Sequence, residues 1–497
     1  MPNKKKVKIV IGYPPIDQNK GTPLLSQNRQ FQYFNRPTYI YPMVPAYAAT
    51  NLQNAGYKVY WMDGIAEKLS FQTWLAKIKR ITPDYLMIET KTPIIKTHWE
   101  QINKIKKAIP TIKIILVGDH VTYLPYESFK NSKVSYIISG GYYDFTIVNL
   151  LNHIHKNEKL KGGIYFRGKN KQIYNSGKTF FNFDLDSLPF IDRKLTKWKL
   201  YAFKNGNYKY TPGTYMYSGR DCWWGKCTFC IWNHTLNPLG SYKTFTPERL
   251  FGEIKYVVDK YKVKEIFDDA GTFFIGSRLK RFCELMIESG YNKKIKIGCN
   301  MRFNALKQKE YNLMKKAGFR LILYGLESAN QKTLNRLKKG LKRKDITFGA
   351  KMASKAGLEV HATIMLGYPW ETYNDAKKTI EFARNCFKMG IFSSLQATIL
   401  IPYPGTPLYD ECKKNNWLIT KNYNRYDMKG PVMKISYSED KLKSLVKEVY
   451  SSFLTPQFIL RKISQIRNIK DLVYYLNAAI YYSSHLIDFR KSNKKEL

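Results

Sequence analysis

Ser218-Gly219-Arg220-Asp221-Cys222-Trp223-Trp224-Gly225-Lys226-Cys227-Thr228-Phe229-Cys230 stands just before the middle of this 497-residue chain. It gathers three of the seven cysteines into one short loop, spaced Cys-x4-Cys-x2-Cys. Thiolates this close, flanked by Arg220 and Lys226, suit a soft metal centre. A structural zinc ion asks for a fourth Cys or His at a similarly short offset, and His234 is the nearby candidate. Three thiolates on a four-iron four-sulfur cluster instead leave one iron open to a ligand that is not protein. Three buried structural thiols are the plainest alternative. The apolar, aromatic loop, set between strand and helix patterns, favours the open cluster.

Length and composition bound the rest. A chain this long suits two or three domains, and 44% hydrophobic residues are ample for their cores. No apolar run reaches the eighteen or so residues of a membrane span. The start, Met1-Pro2-Asn3-Lys4-Lys5-Lys6-Val7, is basic but leads straight into a strand, so a signal peptide is not expected. Cysteines without an evident disulfide pattern suit a reducing, cytoplasmic location. The net charge of +45 raises nucleic acid as a partner. Yet the lysines are scattered and no RNA-binding signature is present, so nucleic acid is not the expected substrate.

The first half alternates short apolar strands with helices. Residues 7–12, 57–63, 84–89, 112–117 and 134–139 read as strands, with helices over 43–56 and around 99–108. This spacing predicts a doubly wound parallel sheet, whose ligands sit outside the carboxyl ends of its strands. The loops there are 13–15, 90–93, 118–125 and 140–143. His120 lies in one of them, where a turn histidine bonded to backbone is as good a reading as a ligand contact. Residues 156–205 are polar and read as a linker docked by the apolar residues of 183–193. Alternation resumes at 215 and runs to about 410. Thr246-Pro247 opens a helix. Cys283, Cys299, Cys386 and Cys412 sit in apolar contexts and read as core.

The cysteine loop resembles that of the radical SAM enzymes, in which the amino and carboxylate groups of S-adenosylmethionine chelate the open iron. The usual family spacing is Cys-x3-Cys-x2-Cys. The extra residue here falls beside Gly225, which accepts backbone angles that other residues do not. Downstream, Asp268-Asp269-Ala270-Gly271-Thr272-Phe273, Gly325-Leu326-Glu327-Ser328, Gly367-Tyr368-Pro369-Trp370-Glu371-Thr372 and Pro402-Tyr403-Pro404-Gly405-Thr406-Pro407 match one large subgroup in order. The resemblance implies cluster ligands Cys222, Cys227 and Cys230. It implies S-adenosylmethionine contacts at Phe229, Asp269, Gly271, Thr272, Arg302, Glu327, Ser328 and Gly367. The other reading of Glu327 is a helix N-cap carboxylate. No side chain is assigned a catalytic role.

Residues 7–155 resemble the cobalamin-binding domain that precedes the core in that subgroup. The implied cobalamin contacts are Tyr13, Pro14, Pro15, Pro42, Pro45, Thr90, Thr92, Gly118, His120, Thr122 and Gly140. There is no Asp-x-His-x-x-Gly, so cobalt is expected without a protein histidine. A sheet domain that has lost its cofactor is the alternative. The expected fold is α/β: a Rossmann-like cobalamin-binding domain over 1–155, the linker over 156–205, a partial (β/α) radical SAM barrel over 206–435 and a helical region over 436–497. The implied activity is cobalamin-dependent methylation of an unactivated carbon or a phosphinate in a small molecule, lipid or peptide. An electron donor such as flavodoxin or ferredoxin is implied with it. A cobalamin-dependent cyclase or rearrangement enzyme shares these motifs, and a non-catalytic iron–sulfur or cobalamin-binding protein would not need them. The aromatic stretch at 474–489, with basic flanks, reads as packing on the barrel or as a peripheral membrane contact.

Overall fold

The computed structural model describes residues 6–25, 31–168, 170–451, 455–464, 466 and 468–488. The first half forms a seven-stranded sheet from β1 (Lys8–Tyr13), β2 (Lys58–Asp63), β3 (Tyr85–Thr90), β4 (Lys113–Gly118), β5 (Tyr136–Ile138), β6 (Ile164–Arg167) and β7 (Ile173–Asn175). Their order is β2-β1-β3-β4-β5-β6-β7. The first five are parallel, and β6 and β7 add antiparallel. Those last two strands come from residues read as linker. Side chains on a strand alternate between faces, and here each face has its own core. Ile9, Ile11, Met87, Ile115 and Val117 pack on one side with α1 (Met43–Asn54) and α4 (Tyr143–Lys156). Val10, Leu86, Ile88, Ile114 and Leu116 pack on the other with α2 (Phe71–Ile81) and α3 (Ile95–Ala108). The sheet is therefore wound on both faces. One local difference appears after β4, where Asp119–Tyr123 is a short helix instead of an open turn.

The second half is a curved sheet of six parallel strands: β8 (Gly213–Met216), β9 (Glu265–Asp268), β10 (Lys296–Met301), β11 (Phe319–Glu327), β12 (Glu359–Leu366) and β13 (Ser394–Ile399), paired in chain order. This is the expected partial barrel. Helices cover its outside, among them α5 (Pro247–Tyr261), capped by the Thr246 side chain with Pro247 in the first turn. Thr372 and Asp375 form a reciprocal capping box on α6 (Tyr373–Lys388). The four cysteines outside the loop are buried in these layers. The tail adds α7 (Glu439–Ser451), α8 (Pro456–Ser464) and α9 (Ile469–Asp488).

The two sheets meet with the carboxyl ends of their strands facing each other. Arg220, at the start of the cysteine loop, reaches Asp144 of α4 with both guanidinium nitrogens, at 2.9 and 2.5 Å. Gly141 N–H donates to the Leu236 carbonyl at 2.8 Å. The linker seals one flank: Phe183, Leu185, Leu188 and Ile191 are buried, and the fully buried Arg193 faces Glu253 of α5 at 3.5 Å. Buried charges are tolerated where they are paired and hydrogen-bonded. One continuous apolar cluster spans both halves, so the cysteine loop is clamped between two rigid sheets.

Candidate active site

The loop after β8 places Cys222, Cys227 and Cys230 on the wall of a cavity of about 1240 Å³ that fills the barrel. Each thiol is half-buried. Among the described residues no three His, Cys, Asp or Glu side chains close round a single ion. Gly225 adopts φ 64°, the left-handed angle that lets the loop take its extra residue. His234 does not join the thiols, because its Nε2 lies 3.1 Å from the Cys227 carbonyl. Two backbone bonds pin the loop from outside: Thr228 N–H to the Leu337 carbonyl and Leu408 N–H to the Thr228 carbonyl.

The strand-end motifs converge on the same cavity. Gly271 approaches so closely that a Cβ there would stand 2.7 Å from Cys222 Cβ. The Thr272 hydroxyl faces Cys222 Sγ at 3.8 Å. Asn300 Nδ2 donates to Asp269 at 3.3 Å and to the Ala270 carbonyl at 2.9 Å. Glu327 ends β11 with φ 63°, rare for a side chain of its size. Its carboxylate pairs with Lys339 at 2.7 Å. The N-cap of the following helix is Asn330, so the capping alternative for Glu327 does not hold. Arg302 lies over Trp224, 4.3 Å from the ring centre, and donates to the Lys339 carbonyl. Burial raises the Cys227 thiol, and the cations of Lys339 and Arg302 work against that rise.

Phe229, Asp269, Gly271, Thr272, Arg302 and Glu327 all line this cavity. Ser328 and Gly367 stand outside its wall. The Ser328 hydroxyl donates to Glu371 at 2.7 Å, and Gly367, at φ 87°, packs near Leu442 of α7. Lys339 and Asn300 are site residues that sequence reasoning missed. One lysine among 83 basic residues carries no signal of its own.

Residues 216–383 match the family model of the radical SAM superfamily. This stretch of the chain is a radical SAM domain. Nearly the whole chain also has the fold of two solved proteins whose structures contain cobalamin. The methyltransferase TsrM from Kitasatospora setae superposes with a TM-score of 0.68 at 11% identity, covering 98% of this chain and 99% of that one. The radical enzyme OxsB superposes with 0.70 at 13% identity, over 97% and 72%. Among curated proteins, an uncharacterized methyltransferase of Pyrococcus horikoshii is 26% identical over 85% of this chain and 90% of its own. The anaerobic magnesium-protoporphyrin IX monomethyl ester cyclase of Cereibacter sphaeroides is 24% identical over 79% and 63%.

Outside the radical SAM domain, the residues read as cobalamin contacts gather where the two sheets meet, and none lines the large cavity. The Tyr13 hydroxyl donates to Glu89, whose other oxygen accepts from Tyr143 at 2.8 Å. Pro14 and Pro15 follow β1, Pro42 precedes α1 and Pro45 lies in its first turn. Thr90 Oγ1 meets His98 Nδ1 at 2.8 Å, and Thr92 N–H donates to Asp119 at 3.2 Å. Gly118, at φ 123°, leaves a Cβ no room beside the Thr90 carbonyl. Thr122 Oγ1 donates to the Gly118 carbonyl and accepts from Gly140 N–H. His120 is fully buried, its ring nitrogens 3.4 Å from Thr92 Oγ1 and from Glu127.

A buried carboxyl behind the site gives a pH test. Asp268 Oδ1 accepts from Ser218 and from Ala270 N–H, and burial pushes its pKa from 3.8 up to about 8. The folded state therefore holds this proton more tightly than the unfolded chain. The associated stability is fully present below about pH 4 and is lost as pH rises through 8. Asp268→Asn is expected to flatten the decline in melting temperature across that window. Equal slopes for wild type and variant would remove Asp268 as its source.

Proposed function

We propose that this protein is a cobalamin-dependent radical SAM methyltransferase of an unactivated carbon or a phosphinate. The observation that carries the reading is one cavity wall that joins three thiols, Gly271 and the Glu327–Lys339 pair, inside a fold shared end to end with TsrM. Cys222, Cys227 and Cys230 fit a four-iron four-sulfur cluster, and Arg302 with Lys339 offsets the negative charge of such a group. Glu327 and Asp269 offer carboxylates to an ammonium or to ribose hydroxyls, while Gly271, lacking a Cβ, lets its loop close against Cys222. The seam between the sheets fits a ligand with many polar edges, since Gln101 Oε1, the Tyr142 hydroxyl and Asn237 Oδ1 are buried there without protein partners. When bound, the cluster with S-adenosylmethionine supplies a 5′-deoxyadenosyl radical and methylcobalamin supplies the methyl group. The protein's share is to orient these groups and to exclude water. A flavodoxin or ferredoxin would supply the electron, and the cytoplasm suits seven free thiols.

The similarity to the cyclase favours a second reading, a cobalamin-dependent cyclase or rearrangement enzyme. Product analysis separates the two. A methyltransferase should form deoxyadenosine and S-adenosylhomocysteine in equal amounts, with the S-adenosylmethionine methyl label in the product. Deoxyadenosine and converted substrate without the homocysteine product would replace this reading by its rival. For cobalamin, the cob(II)alamin spectrum is expected to lack nitrogen superhyperfine splitting, because His120 is held by Thr92 and Glu127. Such splitting from a histidine would contradict the assignment, and absence of binding would remove the cofactor from the proposal.

A further inference from the structure

The cavity that begins at the three thiols continues through the barrel. It passes Leu321, Leu323, Met365 and Leu395 and reaches the opposite end of the strands, where Lys264, Lys293, Lys294 and Lys296 line it. Leu321 and Glu327 mark its two ends on β11, six residues apart, or roughly 20 Å of extended chain. The acids at the far mouth are already engaged. Arg320 holds Glu265 and Glu359 at 2.6 and 2.7 Å, and Lys209 holds Asp471 at 2.9 Å. Among the described residues the four rim lysines have no carboxylate partner, so the mouth is a concentrated positive charge. Between it and the thiols the barrel interior is neutral. Among the described residues the only histidine on that stretch of wall is His361, held uncharged by burial, its pKa lowered to about 4.

The tail helices frame this mouth. Ile469, Val473, Tyr474 and Asn477 of α9 line it. The same helix exposes Leu472, Leu476 and Ile480 at 42%, 56% and 43%. These stand four residues apart, as one stripe of an α-helix does. Beside it α8 exposes Ile459, Leu460 and Ile463 at 46–66%. Contiguous apolar surface next to a cluster of cations is the signature of a helix lying on a lipid interface. No helix of the described residues is long and apolar enough to cross a membrane. Nucleic acid would match the lysines and leave the leucine stripe in water. A protein partner would match the stripe and need acids for the rim.

We propose that α8 and α9 seat this face on an anionic lipid surface. The substrate is then a long amphiphile whose anionic head stays among Lys264, Lys293, Lys294 and Lys296 while its chain runs up the barrel toward the cysteine loop. The head is an anchor, and the reacting carbon lies about 20 Å from it. The proposal takes its chemistry at the thiol end from the radical SAM reading, and its lipid contact stands independently of that reading.

Flotation of the full-length, cluster-reconstituted protein tests it, with vesicles of phosphatidylglycerol in phosphatidylcholine against phosphatidylcholine alone. Binding is expected on the anionic vesicles and at least about tenfold weaker on the neutral ones. The double variant Lys293→Glu/Lys294→Glu removes four units of charge attraction, and on the order of 100-fold of affinity or more should go with them. Leu472→Glu/Leu476→Glu, on exposed positions, should lose vesicle binding with an unchanged melting temperature. In equilibrium dialysis, hexadecyl phosphate should bind at least about tenfold more tightly than either inorganic phosphate or hexadecanol. No vesicle binding, equal binding to both vesicle types, retention by both variants, or self-association through the leucine stripe instead would each overturn the proposal. Deoxyadenosine release measured on the same sample keeps the two readings apart. Release without lipid binding overturns this inference alone, and lipid binding without release overturns the radical reading alone.

Discussion

Replacing any one of Cys222, Cys227 and Cys230 by alanine is expected to remove nearly all reconstituted iron and sulfide and to abolish deoxyadenosine formation. The three thiols line one wall, and His234, the nearby alternative ligand, is turned to the Cys227 carbonyl at 3.1 Å. A cluster left with two protein thiolates has no nearby replacement. The fold should survive, because the loop is held by contacts the substitutions leave intact: the Arg220–Asp144 pair and the backbone bonds at Thr228. Iron and sulfide counts with absorption spectra, read beside circular dichroism, check both halves of the expectation. Unchanged cluster content in all three variants would sink the assignment.

Glu327→Ala is expected to lower deoxyadenosine release by on the order of 100-fold, the cost of misplacing a reacting group by about an ångström. The backbone commits to this carboxylate. Glu327 is held at φ 63°, and its Oε1 fills the space that a Cβ at Gly325 would enter, 2.1 Å away. Its partner Lys339 is 8% exposed and would keep a buried charge without its ion pair. Glu327→Gln keeps the shape and loses the charge, so it separates the two contributions. A Gln variant as slow as the Ala variant points to electrostatics, and a fast one points to packing. Chromatography of the nucleosides, at matched cluster content, measures the effect. Release at the wild-type rate in the Ala variant would take Glu327 out of the site.

Much of this architecture is legible in local pattern. The period of two in β1, β3 and β4 places opposite residues in separate cores, and the expected boundaries of α1 and β2 lie within one or two residues of those observed. The caps at Thr246 and Thr372 act within one turn of their helices. The short cysteine spacing likewise describes a single loop. Residues 164–175 were harder to read, because their sheet pairing depends on the exposed edge of β5, which no property of that polar segment announces. Ser328 and Gly367 follow their motifs in sequence, yet neither lines the cavity, Ser328 being bonded to Glu371 and Gly367 packed near Leu442.

What the sequence by itself determined is therefore everything carried by short separations: the alternation of strands and helices, the cysteine loop and the glycines that shape it. Only the tertiary structure decided which distant groups meet. Lys339 lies 112 residues beyond Cys227 and twelve beyond Glu327, and becomes part of the site because β11 and the loop after its helix bring it back over the thiols. The basic far mouth is assembled the same way, from loops before β9 and β10 and from the tail helix α9. The physical reason is common to both. Charge and burial are properties of the space around a side chain, and that space is built by segments whose approach no local pattern encodes.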